Sequence, residues 1–133
     1  MDRARLVDGA ALQPGDALIG LPSTGLHTNG YSLARRIVFD ELKLTVDSVL
    51  PGIGTTVAEA LLAVHRSYLR VIEPLLAESG LVKGLAHITG GGITDNLPRI
   101  FPPGVGARID RRAWEVPALF RFLREAGQVP VDD

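Results

Sequence analysis

HITGGGITDNLPR, residues 87–99, sets three consecutive glycines between an apolar run and a segment with helical spacing. A second stretch, GLPSTGLHTNGYSLAR at residues 20–35, follows the same plan and also carries a histidine. In each, glycines free the backbone, and the start of the following helix offers unpaired N–H groups and the positive end of a dipole, which suits a phosphate. Both stretches therefore read as anion sites. An anion is expected between residues 23–29 and 89–92.

Outward from these loops, Ala17 to Leu21 reads as a short buried strand after the Pro14-Gly15 turn, and Pro22 to Gly25 break it. Asn29 is the expected N-cap of a helix whose apolar stripe is Leu33, Ile37 and Val38. Residues 43–55, with Pro51-Gly52 and Gly54, read as a loop with at most a short strand. Thr56-Val57-Ala58-Glu59 is a capping box, and apolar residues recur at helical spacing to Leu75, before Gly80. Pro74 is expected to kink or shorten the end of that helix. Val82 to Ile88 and Val105 to Ile109 read as strands, Thr94 to Ile100 as a short helix, and the segment after Pro117 as a last amphipathic helix closed by Gly127. Strands that alternate with helices predict a layered α/β or α+β domain.

Composition narrows the class. A chain of 133 residues with 46% hydrophobic content is sized for one domain and one core. A net charge of −1 with interspersed signs gives no electrostatic footprint for nucleic acid or an anionic membrane. The chain has no cysteine, which fits a reducing interior and leaves neither a disulfide framework nor a thiolate zinc site. MDRARLVDGA carries charges where a signal peptide needs an apolar run, so the expected location is the cytoplasm. There is no GxxxxGK[ST], no HExxH and no GxSxG, which sets aside P-loop, zincin and nucleophile-elbow chemistries.

The two glycine stretches together resemble the C-terminal domain of phosphoribosylformylglycinamidine cyclo-ligase, or AIR synthetase. The likeness runs from about Pro14 to Gly127, and its most specific string is HxTGGGxxxNxPR. Two departures are visible: His65 stands where the family usually has Thr, and Asp95 where it usually has Glu. The resemblance implies an α+β fold in α/β/α layers, a mixed sheet with helices on both faces, with the last strands missing. It implies that residues 1–13 are the remnant of an interdomain linker and residues 14–133 a partial C-terminal domain, inactive by itself. In the family, ATP phosphorylates the amide oxygen of formylglycinamidine ribonucleotide, and ring closure then gives aminoimidazole ribonucleotide for purine synthesis. ATP and Mg2+ would be bound mainly by an N-terminal domain, with no cofactor and no metal held by these residues. The implied partners are the ribonucleotide substrate, that N-terminal domain and a second copy in a homodimer. Formylglycinamidine synthase, selenophosphate synthetase and thiamine-phosphate kinase, of the same superfamily, are enzyme alternatives, and a non-catalytic truncated binding domain is the other.

The site residues have two readings each. His27 and His87 are the catalytic candidates, as donors to a developing phosphoryl charge or as proton carriers; the alternatives are a loop histidine bonded to a nearby carbonyl and a satisfied core histidine. Ser23, Gly25, Thr28, Asn29, Thr89, Gly90, Gly91, Gly92, Asn96 and Arg99 are the substrate- and phosphate-binding candidates. The hydroxyls and Asn29 serve equally as turn or cap groups. Asn96 and Arg99, three apart, are expected on one helix face, with Arg99 reaching a phosphate or pairing with Asp95. His65 reads as a surface residue.

Overall fold

The computed structural model describes residues 6–130. Residues 1–5, the start of the expected linker, and residues 131–133 lie outside the described residues. The chain folds as two compact units, Met1–Leu21 with Ser67–Ile109, and Pro22–Arg66 with Asp110–Asp133.

The unit built from residues 22–66 and 110–133 holds the apolar core. Its helix α1 (Tyr31–Arg35) continues directly into a π-helical turn (Arg36–Glu41), followed by α2 (Val57–Leu61) and, after the excursion of the chain through the other unit, α5 (Ala118–Ala126). The N-cap of α1 is Gly30, not Asn29. Gly30 has φ 84, a left-handed entry that glycine adopts without strain, and no side chain caps the helix. Ala34, Ile37 and Val38 supply the buried stripe, while Leu33 stays 39% exposed, so Ala34 takes the place expected for it. With Leu50, Val57, Leu61, Leu119 and Leu123 they form one cluster. Each larger side chain withdrawn from water there contributes about 1.5–3 kcal/mol. Gly127 closes α5 where a Cβ would collide with the side chain of Ile37.

The capping box of α2 forms as the sequence predicts. Thr56 Oγ1 accepts from the Glu59 amide at 3.2 Å, and Glu59 Oε2 accepts from the Thr56 amide at 2.8 Å. The continuous helix expected to Leu75 does not form: α2 ends at Leu61, and residues 62–68 are non-helical. Two carbonyls that a longer helix would use are taken by side chains, Leu61 O by the Tyr31 hydroxyl at 2.6 Å and Val64 O by the Thr24 hydroxyl at 3.0 Å. Before α2, residues 43–55 form the expected loop, with one isolated antiparallel bridge between Val49 and Thr56.

The unit built from residues 1–21 and 67–109 carries α3 (Leu69–Ala77), with Pro74 inside it, and α4 (Gly92–Asn96), which tightens into a 3₁₀ turn (Leu97–Ile100). The helix expected from Thr94 thus starts two residues earlier, again behind a left-handed glycine, Gly91 at φ 88. No apolar side chain of α3 is buried. Close backbone approach and polar contacts hold this unit instead. The Gly9 amide donates to Lys83 O at 3.1 Å, a Cβ on Gly9 would strike the Ile100 carbonyl, and the Lys83 ammonium donates to Asp16.

The three segments expected as strands behave differently from their sequence pattern. Among the described residues, 17–21, 82–88 and 105–109 form no regular secondary structure and have no ladder partners. Ile19 is 84% exposed rather than buried. An apolar alternating segment stays a strand only while a neighbour accepts its N–H and C=O groups. No helix of the described residues is long and apolar enough to cross a membrane.

Candidate functional site

The glycine loop of residues 89–92 is organised around the side chain of Asn96. Asn96 is the last residue of α4 and only 3% exposed. Its Nδ2 lies 3.2 Å from Thr89 O, 3.2 Å from Gly90 O and 2.7 Å from Gly92 O. The Gly92 amide donates to Thr89 O at 2.9 Å, and the Asp95 amide to Gly91 O at 3.2 Å. Gly91 and Gly92 have φ 88 and 61, values that L side chains rarely adopt. A Cβ on Gly91 would also run into the Asp95 side chain, 2.7 Å from its Cβ. Glycine is therefore required at Gly91 by space as well as by backbone.

Asn96 and Arg99 do not present one common face. Asn96 turns inward to the loop, whereas Arg99, on the 3₁₀ turn, is exposed. His87 is exposed on the irregular segment before the loop and Thr89 is half-buried.

In the other unit, the loop of residues 23–30 is ordered by His27. Its Nε2 accepts from the Thr24 amide at 3.0 Å, and the Thr24 hydroxyl lies 3.2 Å from the same nitrogen. A backbone N–H only donates, so Nε2 carries the lone pair and the proton sits on Nδ1. The Thr24 hydroxyl spends its proton on Val64 O. The His27 ring stacks on His65, with centroids 3.8 Å apart and planes inclined by 27°. His27 has φ 55, an uncommon left-handed value for a residue with a Cβ. Gly25, at φ 143, lies against the Ala60 carbonyl, the Ala63 methyl and Leu119, at 3.7–3.9 Å from an added Cβ. Ser23 is half-buried, and Thr28 and Asn29 are exposed, with the Asn29 amide donating to Leu26 O at 3.2 Å.

Thr89, Gly90, Gly91, Gly92 and Asn96 thus come together in one unit, and Gly25 and His27 in the other. Two residues that order the second loop escape a reading of sequence. Thr24 reaches His27 across Gly25 at a spacing of three, a usable turn signal, whereas His65 is an exposed residue 38 positions away whose contact has no local signature. Among the described residues, no group of three or more His, Cys, Asp or Glu is placed to hold a metal ion.

The family described as AIR synthase related protein, C-terminal domain, matches residues 13–128. The chain belongs to that family. The phosphoribosylformylglycinamidine cyclo-ligase of Geobacillus kaustophilus (strain HTA426) is 46% identical over 132 residues, covering 99% of this chain and 38% of that protein. The enzyme of the same name from Desulfitobacterium hafniense (strain DCB-2) is 50% identical over 129 residues, 97% of this chain and 37% of its own. A relative in Vigna unguiculata, named phosphoribosylformylglycinamidine cyclo-ligase, chloroplastic/mitochondrial, is 49% identical over 124 residues. This member of the AIR synthase related C-terminal family therefore spans less than two-fifths of the length of the curated relatives it matches.

Proposed function

We propose that this chain serves as the C-terminal part of an ATP-dependent cyclo-ligase that converts formylglycinamidine ribonucleotide to aminoimidazole ribonucleotide in purine biosynthesis. The observation that carries this reading is the Asn96-centred glycine loop, found in a chain 44–50% identical to proteins named for that activity over nearly all its length. In the reaction, ATP supplies the phosphoryl group that turns the amide oxygen into a leaving group. The residues here bind and orient: the loop of Thr89, Gly90, Gly91 and Gly92 receives phosphate oxygens, Arg99 adds a cationic fork, and Ser23, Thr28 and Asn29 contact the ribonucleotide beside Gly25. His27 and His87 act as ring N–H donors to the charge that develops on the transferred group, or carry the proton released on ring closure. The described residues offer no carboxylate cluster for Mg2+, so no step through magnesium is assigned to them.

The same reading assigns residues 14–133 to an α+β domain in which segments 17–21, 82–88 and 105–109 pair into a mixed sheet. The exposure of Ile19, Leu85 and Ile88 supports it, since these apolar side chains gain most from a covering layer. Contact with an N-terminal domain, a homodimer and a cytoplasmic location belong to this proposal.

A chimera tests it. The matching segment of the Desulfitobacterium hafniense cyclo-ligase is replaced by this chain, and formation of aminoimidazole ribonucleotide is followed. Turnover within about tenfold of the parent is expected. A folded chimera without turnover, binding neither substrate nor phosphate, overturns the assignment.

A further inference from the structure

We infer that Asn96 is the positioning residue of the glycine loop: by drawing three backbone carbonyls to its amide it turns the N–H groups of Gly90, Gly91 and Ile93 the opposite way, toward a bound oxyanion. The inference rests on the phosphate reading of this loop and specifies how the loop is kept competent.

A peptide unit is planar and trans, so its C=O and N–H point in opposite directions. The carbonyls of Thr89, Gly90 and Gly92 all face Asn96 Nδ2, at 3.2, 3.2 and 2.7 Å. The N–H of the next residue in each unit, Gly90, Gly91 and Ile93, therefore faces away from Asn96. The fourth N–H of the run, that of Gly92, is spent on Thr89 O inside the turn. Three outward donors within four residues, around the left-handed Gly91 and Gly92, make an anion-binding concavity. The amide's orientation follows from chemistry: exchanging Oδ1 and Nδ2 would set an oxygen against three carbonyl oxygens. Asn96 Oδ1 is buried without a hydrogen-bond partner among the described residues, so the side chain is kept at this place for its nitrogen. Asn96 acts on the ligand through the backbone and does not need to touch it.

Asp tests this better than Ala, because it keeps the shape and reverses the hydrogen bonding. A carboxylate at position 96 would face three carbonyl dipoles in a buried setting, which raises its pKa. Once protonated, it regains one donor. Sulfate is the probe, because its charge is constant over the range used, and the readout is the set of backbone amide resonances of the whole chain. In the unaltered protein, sulfate is expected to shift Gly90, Gly91 and Ile93. In N96D, affinity is expected to be roughly tenfold weaker at about pH 7.5 and to recover in part at about pH 5. N96S, with one hydroxyl donor, should fall between, and it supplies the answer if N96D does not fold; unchanged Leu50 and Val57 resonances report folding. The inference is overturned if either folded variant binds sulfate like the parent at about pH 7.5 with Gly90 and Gly91 unmoved. If the parent shows no response to sulfate, yet N96D displaces those amides and restores them in acid, the positioning role stands and the phosphate reading falls.

Discussion

The rings of His27 and His65 lie stacked with centroids 3.8 Å apart, and the same His27 accepts the Thr24 amide through Nε2 at 3.0 Å. A loop that holds a Cβ-bearing residue at φ 55 is kept there by what its ring contacts, because the backbone alone disfavours it by about 1–3 kcal/mol.

His27→Ala should therefore destabilise the protein more than His27→Gly does, although glycine removes more atoms. Glycine adopts a positive φ without strain, and the expected difference is about 1 kcal/mol. Urea midpoints of the two variants, compared at constant slope, measure it. Equal midpoints would show that the left-handed turn carries no strain.

Apolar residues should divide sharply in their sensitivity. Ile37→Ala and Leu50→Ala open cavities at sites 0% and 1% exposed and should each cost about 2–5 kcal/mol. Val71→Ser on α3, at a site 57% exposed, should stay within about 0.5 kcal/mol. Thermal unfolding of the three proteins checks this; a large loss in Val71→Ser would mean that α3 has a covered face.

Two glycines with nearly the same φ should respond differently to alanine. Gly9 (φ 84) and Gly104 (φ 80) share the backbone penalty, but only at Gly9 does a Cβ meet a backbone atom, the Ile100 carbonyl oxygen. Gly9→Ala should open the turn and raise hydrogen exchange at the Gly9 amide, which bonds Lys83 O. Gly104→Ala should leave that amide protected.

Acid should loosen defined contacts first. The Lys83 ammonium, then the Gln13 amide, hold the Asp16 carboxyl below its ordinary value, and the Thr56 amide does the same for Glu59. A carboxyl whose folded pKa is depressed stabilises the fold above the unfolded value, near pH 4, and loses that contribution as pH falls through the folded value. Asp16→Asn and Glu59→Gln should thus be less stable than the parent near neutrality and converge with it as the pH falls through the depressed folded values. Stability curves run against pH decide it; a gap that persists in strong acid would assign the loss to packing.

Local signals in the sequence were reliable where local chemistry decides structure. The capping box at Thr56 and Glu59 forms atom for atom, and the glycine cradle leads into a helix, which starts at Gly92 rather than at Thr94. Asn29 failed as a cap because Gly30, the next residue, enters the helix in a conformation that needs no side chain. Periodicity from Val57 to Leu75 could not reveal that the hydroxyls of Tyr31 and Thr24, more than 25 positions upstream, take carbonyls at Leu61 and Val64. Strand patterns at 17–21 and 82–88 record a preference that only a paired neighbour turns into a ladder. At the loops, residue types marked Asn96 and His27, but which atom faces which, with Nδ2 inward and Nε2 accepting, is a matter of three dimensions.

The core of this protein is discontinuous in the chain: Ala34 to Leu61 contribute one part and Leu119 with Leu123 the other. Everything from Ser67 to Ile109, including the Asn96 loop, is threaded between those two parts. A peptide bond cut in that stretch would divide the cored unit between two polypeptides, with α5 on one and the π-helical segment it packs against on the other. Such a nicked molecule would depend on concentration to refold, because closure of the core would have become a meeting of two chains.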